Sequence, residues 1–237
     1  MANSSEETSV DVGRDFVRNM LASYNLYATP IGESTHKTPD LELPMASQRI
    51  SPSGTSLEYK LSAIENVLKG AWHQLKEFPE RTAEDFTVIW LLGAAPGLTA
   101  LMRPTAMSVL YGVQHIEAQA NDGVLYDKEC FFFGNSFFFR RKELDAVVLH
   151  DDRQVTLCLN PFADRRNGFR ATPLAKMFGR ELHIMDPEER ERCGECFIAD
   201  CSFSRKDVNG VVRYLKEKYD LANVTIYQFM FVNCPVG

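Results

Sequence analysis

The sequence has no run approaching the ~20 consecutive apolar residues that a membrane-spanning helix needs, which excludes a helical membrane protein. Its start, MANSSEETSVDVGRD, shows no basic segment followed by an apolar stretch, so neither a secretory signal nor a transit peptide is expected. Gly-x-Ser-x-Gly, P-loop and His-Glu-x-x-His strings are absent, which leaves nucleophilic, phosphoryl-transfer and zinc-protease chemistry without a starting point. Internal repeats and low-complexity segments are absent as well. Basic charge is thin, with 26 Lys and Arg against 32 Asp and Glu, and a net charge of -6 disfavours a dedicated nucleic-acid binder. The dense basic runs, Arg140-Arg141-Lys142 and Arg165-Arg166, have acids near them and read as solvated faces.

What is present describes an ordinary globular chain with an aromatic surplus. At 237 residues it can bury roughly 70% of its unfolded surface. Apolar residues at 45% and charged residues at 24% are close to normal usage. Sixteen Phe and eight Tyr point to broad contact areas in a β-rich core or at interfaces. A cytosolic or nuclear location follows from the missing leader, and six Cys in a reducing compartment imply free thiols or a metal site over disulfides.

Periodicity then divides the chain. The first ten residues are polar and would fray unless contacts tie them down. Phe16, Val17, Met20, Leu21 and Tyr24 recur at helical spacing, and the helix ends before Pro30 and Gly32. Residues 28–56 are rich in Pro, Ser and Thr, an extended loop with at most one short strand. Thr55 and Glu58 match a capping box ahead of Leu57, Leu61, Ile64, Leu68, Trp72 and Leu75, which predict a helix reaching Phe78-Pro79. Strands are expected at 86–92, 107–113, 130–139, 145–149 and 155–159, where aromatic and β-branched residues concentrate. Turn signals fall at Asn121-Asp122-Gly123 and Gly134-Asn135. Ser204 caps a helix carrying Val208, Val211, Val212 and Leu215, and a strand follows from Val224 to Val232. The fold class expected is α+β, an antiparallel β-sandwich core flanked by helices, with a projecting N-terminal helix. One domain spans 1–237: a tail and helical arm at 1–30, an extended loop at 31–56 and a β core at 57–237.

Three constellations could carry chemistry. Val88 to Leu92 followed by Gly93-Ala94-Ala95-Pro96-Gly97 resembles the first motif of S-adenosylmethionine-dependent methyltransferases. Pro104 is expected to cut the following helix short, and Gln114 stands where a ribose-binding acid should be. Leu144 to Asp151 could imitate a strand ending in a catalytic acid. Cys193, Cys196 and Cys201 with His183 could supply tetrahedral zinc ligands, but the second Cys pair of a strong zinc module is missing, so scattered core thiols are the plainer reading. His150, Asp151 and Asp152 are consecutive, so they fit a turn between strands better than a converging site. No catalytic residue, cofactor or metal is assigned.

In order, these elements resemble the polyhedrins of cypoviruses, proteins that crystallise inside infected insect cells around virus particles. The resemblance rests on the Met1-Ala2 start, Arg14-Asp15-Phe16 opening the first helix and Tyr24-Asn25 near its end. It continues through the helix at 57–76, the strand at 86–92, Gly134-Asn135-Ser136-Phe137-Phe138-Phe139, Asn160-Pro161, and the late helix and strand. It implies a helix-flanked sandwich, trimers and an N-terminal helix reaching neighbouring molecules. Arg14, Phe16, Arg18 and Tyr24 would then be lattice contacts. The partners implied are other copies, virus particles and trapped nucleotides, with no membrane, in occlusion bodies in the host cytoplasm. Polyhedrins also resemble proteins built to dissolve in an alkaline midgut. With ten Lys, eight Tyr and six Cys, full alkaline titration takes the net charge to -30, and self-repulsion would open an assembly between roughly pH 10 and 11.

Overall fold

The computed structural model describes residues 17, 19–24, 50–51, 54–55, 61–77, 85–92, 99–151, 154–199 and 207–227. Residues 17 and 19–23 are helical. Two short strands, β1 (Ile50–Ser51) and β2 (Gly54–Thr55), pair with each other inside the segment expected to be a loop. Thr55 is therefore a strand residue rather than a helix cap, and α1 spans Leu61–Glu77. Its buried residues Ile64, Leu68, Ala71 and Trp72 keep the three- and four-residue spacing that places one face on the core.

The remaining elements form two four-stranded sheets with helices packed on them. β3 (Val88–Leu92), β6 (Ala146–His150), β7 (Val155–Leu159) and β8 (His183–Met185) make the first sheet in the order β3-β6-β7-β8. β4 (Val113–Ala120), β5 (Leu125–Phe132), β9 (Cys196–Ala199) and β10 (Leu221–Tyr227) make the second in the order β10-β4-β5-β9. The helices are α2 (Thr99–Tyr111), α3 (Arg166–Arg170), α4 (Pro173–Glu181), α5 (Pro187–Arg192) and α6 (Val208–Tyr219). The architecture is α+β, but both sheets are mixed: β3 with β6, β7 with β8 and β5 with β9 run parallel. The antiparallel expectation fails because the connections from β3 to β6, from β5 to β9 and from β7 to β8 each return a strand in the parallel sense.

Each sheet separates two apolar clusters. One cluster takes Ile89, Leu91, Val147, Leu149 and Cys158 from the first sheet, Val113, Phe131, Cys196 and Ile198 from the second, and buried residues of α1 and α2. On its far face the first sheet meets α4 through Ala146, Val148, Leu157, Met177 and Phe178. The second sheet meets α6 through Ile116, Ala118, Phe132, Phe197, Val211 and Leu215. With both faces covered, β6 reads as an uninterrupted apolar run, whereas β10 alternates.

Several boundaries differ from the sequence reading for identifiable reasons. Residues 107–111 continue α2 instead of forming a strand, because Ala106, Met107, Leu110 and Tyr111 bury one helical face in the shared cluster. Pro104 sits exposed inside this helix and does not end it. The expected strand at 130–139 ends at Phe132, and two 3-10 turns follow at Phe133–Asn135 and Phe138–Arg140. Phe137 N donates to Val109 O at 2.9 Å, holding these turns against α2. The aromatic surplus goes largely inward, with Tyr111 5.1 Å from Phe138 and 5.6 Å from Phe131 between ring centres. Asp207, not Ser204, caps α6, its carboxylate accepting from Gly210 N at 2.9 Å. The C-terminal strand is β10, and residues 228–232 lie outside the described residues.

The leading helix does not stand off the body where it is described. Leu21 and Tyr24 are partly buried against the far-face cluster of the first sheet, as are Val88 and Trp90. Among the described residues, no helix is long and apolar enough to cross a membrane.

Candidate functional site

The carboxyl ends of β3 and β6 lie side by side, with Leu92 opposite His150. In open α/β sheets such an edge is where ligands gather, and α2 begins seven residues after β3 ends. The Gly93–Gly97 turn falls outside the described residues, so the edge is defined by Arg103, His150, Asp151, Gln154, Thr156 and His183.

Arg103 and Asp151 dominate it. Asp151, 4% exposed, lies where β6 turns toward β7. Arg103 Nε donates to Asp151 Oδ2 at 2.9 Å, Nη2 stands 2.8 Å from the same oxygen, and Nη1 donates to Thr156 Oγ1 at 2.9 Å. Asp151 Oδ1 accepts from Gln154 N at 2.9 Å, while Asp151 N donates to Gln154 O at 3.2 Å. Both carboxylate oxygens are thus engaged, in a charge-assisted fork and in the hairpin turn. Geometrically this is a clamp that fixes α2 to the β6–β7 hairpin. β6 and β7 are antiparallel neighbours with His150 opposite Val155, and Asp152 of the expected turn lies outside the described residues.

His150 is half-buried, and desolvation pushes its imidazole below the ordinary value, with Asp151 partly opposing. Burial therefore favours its neutral form. His183 is exposed on β8, opposite Thr156. The cysteines do not converge with it: Cys193 is exposed in a turn, while Cys196 is buried in β9 of the other sheet. Cys196 Sγ donates to Pro187 O at 3.6 Å, and burial pushes its thiol up to about 11, away from the thiolate that zinc requires. Cys201 lies outside the described residues. Among the described residues, no three metal-ligating side chains come together.

Two further buried carboxylates are clamped the same way. Asp145 Oδ2 accepts from Thr87 N at 2.7 Å and from Arg165 Nη2 at 3.3 Å, tying the start of β6 to the segment before β3. Asp186 pairs with Arg166 at 3.0 Å and with Arg170, joining α3 to the cap of α5. Arg165-Arg166 is consequently no free solvated run. A signal for one clamp was available: Arg103 is the single Lys, Arg, Asp or Glu between Asp85 and Glu117, and a lone charge in an apolar stretch needs a partner.

The second sheet offers a surface instead of a cleft. On the face away from α6, His115, Glu117, Leu125, Asp127, Asn223, Thr225 and Tyr227 follow the odd register positions. Leu125 is 78% exposed, Val124 46% and Tyr227 43%. Tyr227 OH donates to Glu117 Oε2 at 2.7 Å, and its ring lies 6.0 Å from that of His115, which also pairs with Asp127. β9 pairs with β5 only from Glu129 onward, which leaves Leu125 to Lys128 beyond its reach. Of the expected lattice contacts, Tyr24 is half-buried on its own body, and Arg14, Phe16 and Arg18 lie outside the described residues. No protein-family model, curated protein or solved structure matches the chain.

Proposed function

We propose that this chain is a structural protein that assembles with copies of itself into ordered intracellular bodies, as cypovirus polyhedrins do around virus particles. The observation that carries the reading is the contrast between clamped and open regions. At the sheet edge where a ligand site would sit, the buried polar groups serve as an internal clamp. The second sheet presents exposed Val124, Leu125 and Tyr227 around a polar face. Trimers, a sandwich-like relation of the sheets, lattice contacts through Arg14, Phe16 and Arg18, and packing around virions in the host cytoplasm belong to the same proposal.

Dissolution in alkali also belongs to it, with a shifted threshold. Burial raises Cys130, Cys158, Cys196, Tyr111 and Tyr219, and hydrogen bonding to Glu117 raises Tyr227. Fewer groups then gain charge near pH 10, and dissolution is expected toward pH ~11. Light microscopy of cells expressing the full chain tests the reading. Refractile bodies that dissolve on raising the pH support it, and uniformly soluble protein refutes it.

A second reading, an S-adenosylmethionine-dependent methyltransferase using Gly93 to Gly97, is favoured by one observation: α2 runs thirteen residues through Pro104 after that turn. Against it, Asp151 is occupied by Arg103, β6 and β7 are antiparallel, and β4 belongs to the other sheet. Calorimetric binding of S-adenosylmethionine, abolished by Gly93→Asp, would replace the first reading with this one.

A further inference from the structure

Among the described residues, β10 stands at one end of its sheet, with β4 as its strand partner. Natural edge strands are blunted by charge, proline, bulges or brevity, because their unpaired backbone groups invite another strand. The other edges comply. β8 has three residues, β9 has four and all are buried, and β3 has five, with Val88 and Trp90 partly buried against the far-face cluster. β10 is seven residues long, contains no Asp, Glu, Lys, Arg or Pro, and is regular from Asn223 to Tyr227 after one irregularity at its start.

We propose that β10 pairs with β10 of a second copy, antiparallel about a two-fold axis at Val224, making one eight-stranded sheet from two. The proposal rests on the self-assembly reading and names one of its contacts. A contact of a patch with itself must be self-complementary, and this register satisfies that requirement on both faces. On the outward face Asn223 meets Thr225 of the second copy, a neutral polar pair. On the α6 face Val224 meets its own equivalent and Ala222 meets Ile226, extending the cluster that Val224 and Ile226 already flank. No like charges are brought opposite each other. Val224, Thr225 and Ile226 are β-branched, which suits them to a pleated, half-covered position.

The test uses the full-length chain with two charge variants, Asn223→Lys with Thr225→Lys, and Asn223→Glu with Thr225→Glu. Asn223 and Thr225 are exposed, so neither variant disturbs the core. Light scattering after size-exclusion chromatography at neutral pH and low salt should show each variant alone at about half or less of the wild-type mass. An equimolar mixture should recover the wild-type mass, because Lys then meets Glu across the axis. Wild-type mass for each variant alone, or no recovery on mixing, overturns the seam while self-assembly stands. A monomeric wild type overturns both. Should the variants fail to fold, hydrogen exchange on wild type decides: slower exchange of β10 amides with rising protein concentration supports the seam, and concentration-independent exchange overturns it.

Discussion

The two four-stranded sheets solve the burial problem in opposite ways. The β3-β6-β7-β8 sheet is covered on both faces, and its ends are held by Asp145 and Asp151, each buried against an arginine. The β10-β4-β5-β9 sheet is covered by α6 on one face and joins the shared cluster through one half of the other. Its remaining half carries His115, Glu117, Asp127 and Tyr227 on the surface and ends in a long, uncharged strand. One sheet spends its polar groups on internal fixation, and the other keeps them where a neighbouring molecule can meet them. Buried charge ties the first sheet together, while the second leaves an uncharged strand and the exposed side chains of Leu125 and Tyr227 at its surface.

That contrast can be broken most sharply at Arg103. Arg103→Leu leaves Asp151 buried without its counter-charge and should cost about 3–5 kcal/mol in urea unfolding. Thr225→Lys on the open sheet should change folding stability by no more than about 0.5 kcal/mol. Equal losses would mean that the second sheet is no freer than the first. Next in size, Leu149→Ala in the shared cluster should cost about 2–5 kcal/mol. Tyr111→Phe removes a hydroxyl 2.8 Å from Leu159 O and 3.2 Å from Met185 O, and should cost about 1 kcal/mol. The exposed Lys69–Glu65 pair sits at the small end, where Lys69→Ala should cost roughly 0.3–0.5 kcal/mol.

Titration separates the sheets as well. Cys158 lies in the first sheet with its thiol raised by burial to about 12, from an ordinary 9.0. A raised thiol favours the fold while it stays protonated, so its contribution is complete below about pH 9 and is lost as the pH climbs toward 12. Cys158→Val should flatten that alkaline decline in thermal melts. His150 works in the other direction. Its lowered value means the unfolded chain binds protons first, so stability falls as the pH drops below about 6.5. His150→Gln should remove that part of the acid sensitivity.

The local parts of this architecture were legible in the sequence and the long-range parts were not. β7 falls where β-branched periodicity put it, and the turn at Asn121-Asp122-Gly123 closes the β4–β5 hairpin with Gly123 at a φ of 90°, a conformation open to glycine. α2 was missed because Pro104 and the β-branched, aromatic run after it outweighed helical spacing, whereas packing of Leu110 and Tyr111 decided the matter. The parallel pairings could not be seen, since they join strands as far apart as Val88 and Ala146. The clamps were hidden for the same reason: Arg103 and Asp151 are 48 residues apart, and only the isolation of Arg103 among apolar neighbours hinted at a partner.

Self-assembly is the claim on which the account turns, and sedimentation of the purified full-length chain over a wide concentration range addresses it most directly. At neutral pH the account predicts mass that rises with concentration into large assemblies and collapses to small species as the pH approaches 11. A single monomeric species at every concentration and pH would contradict it.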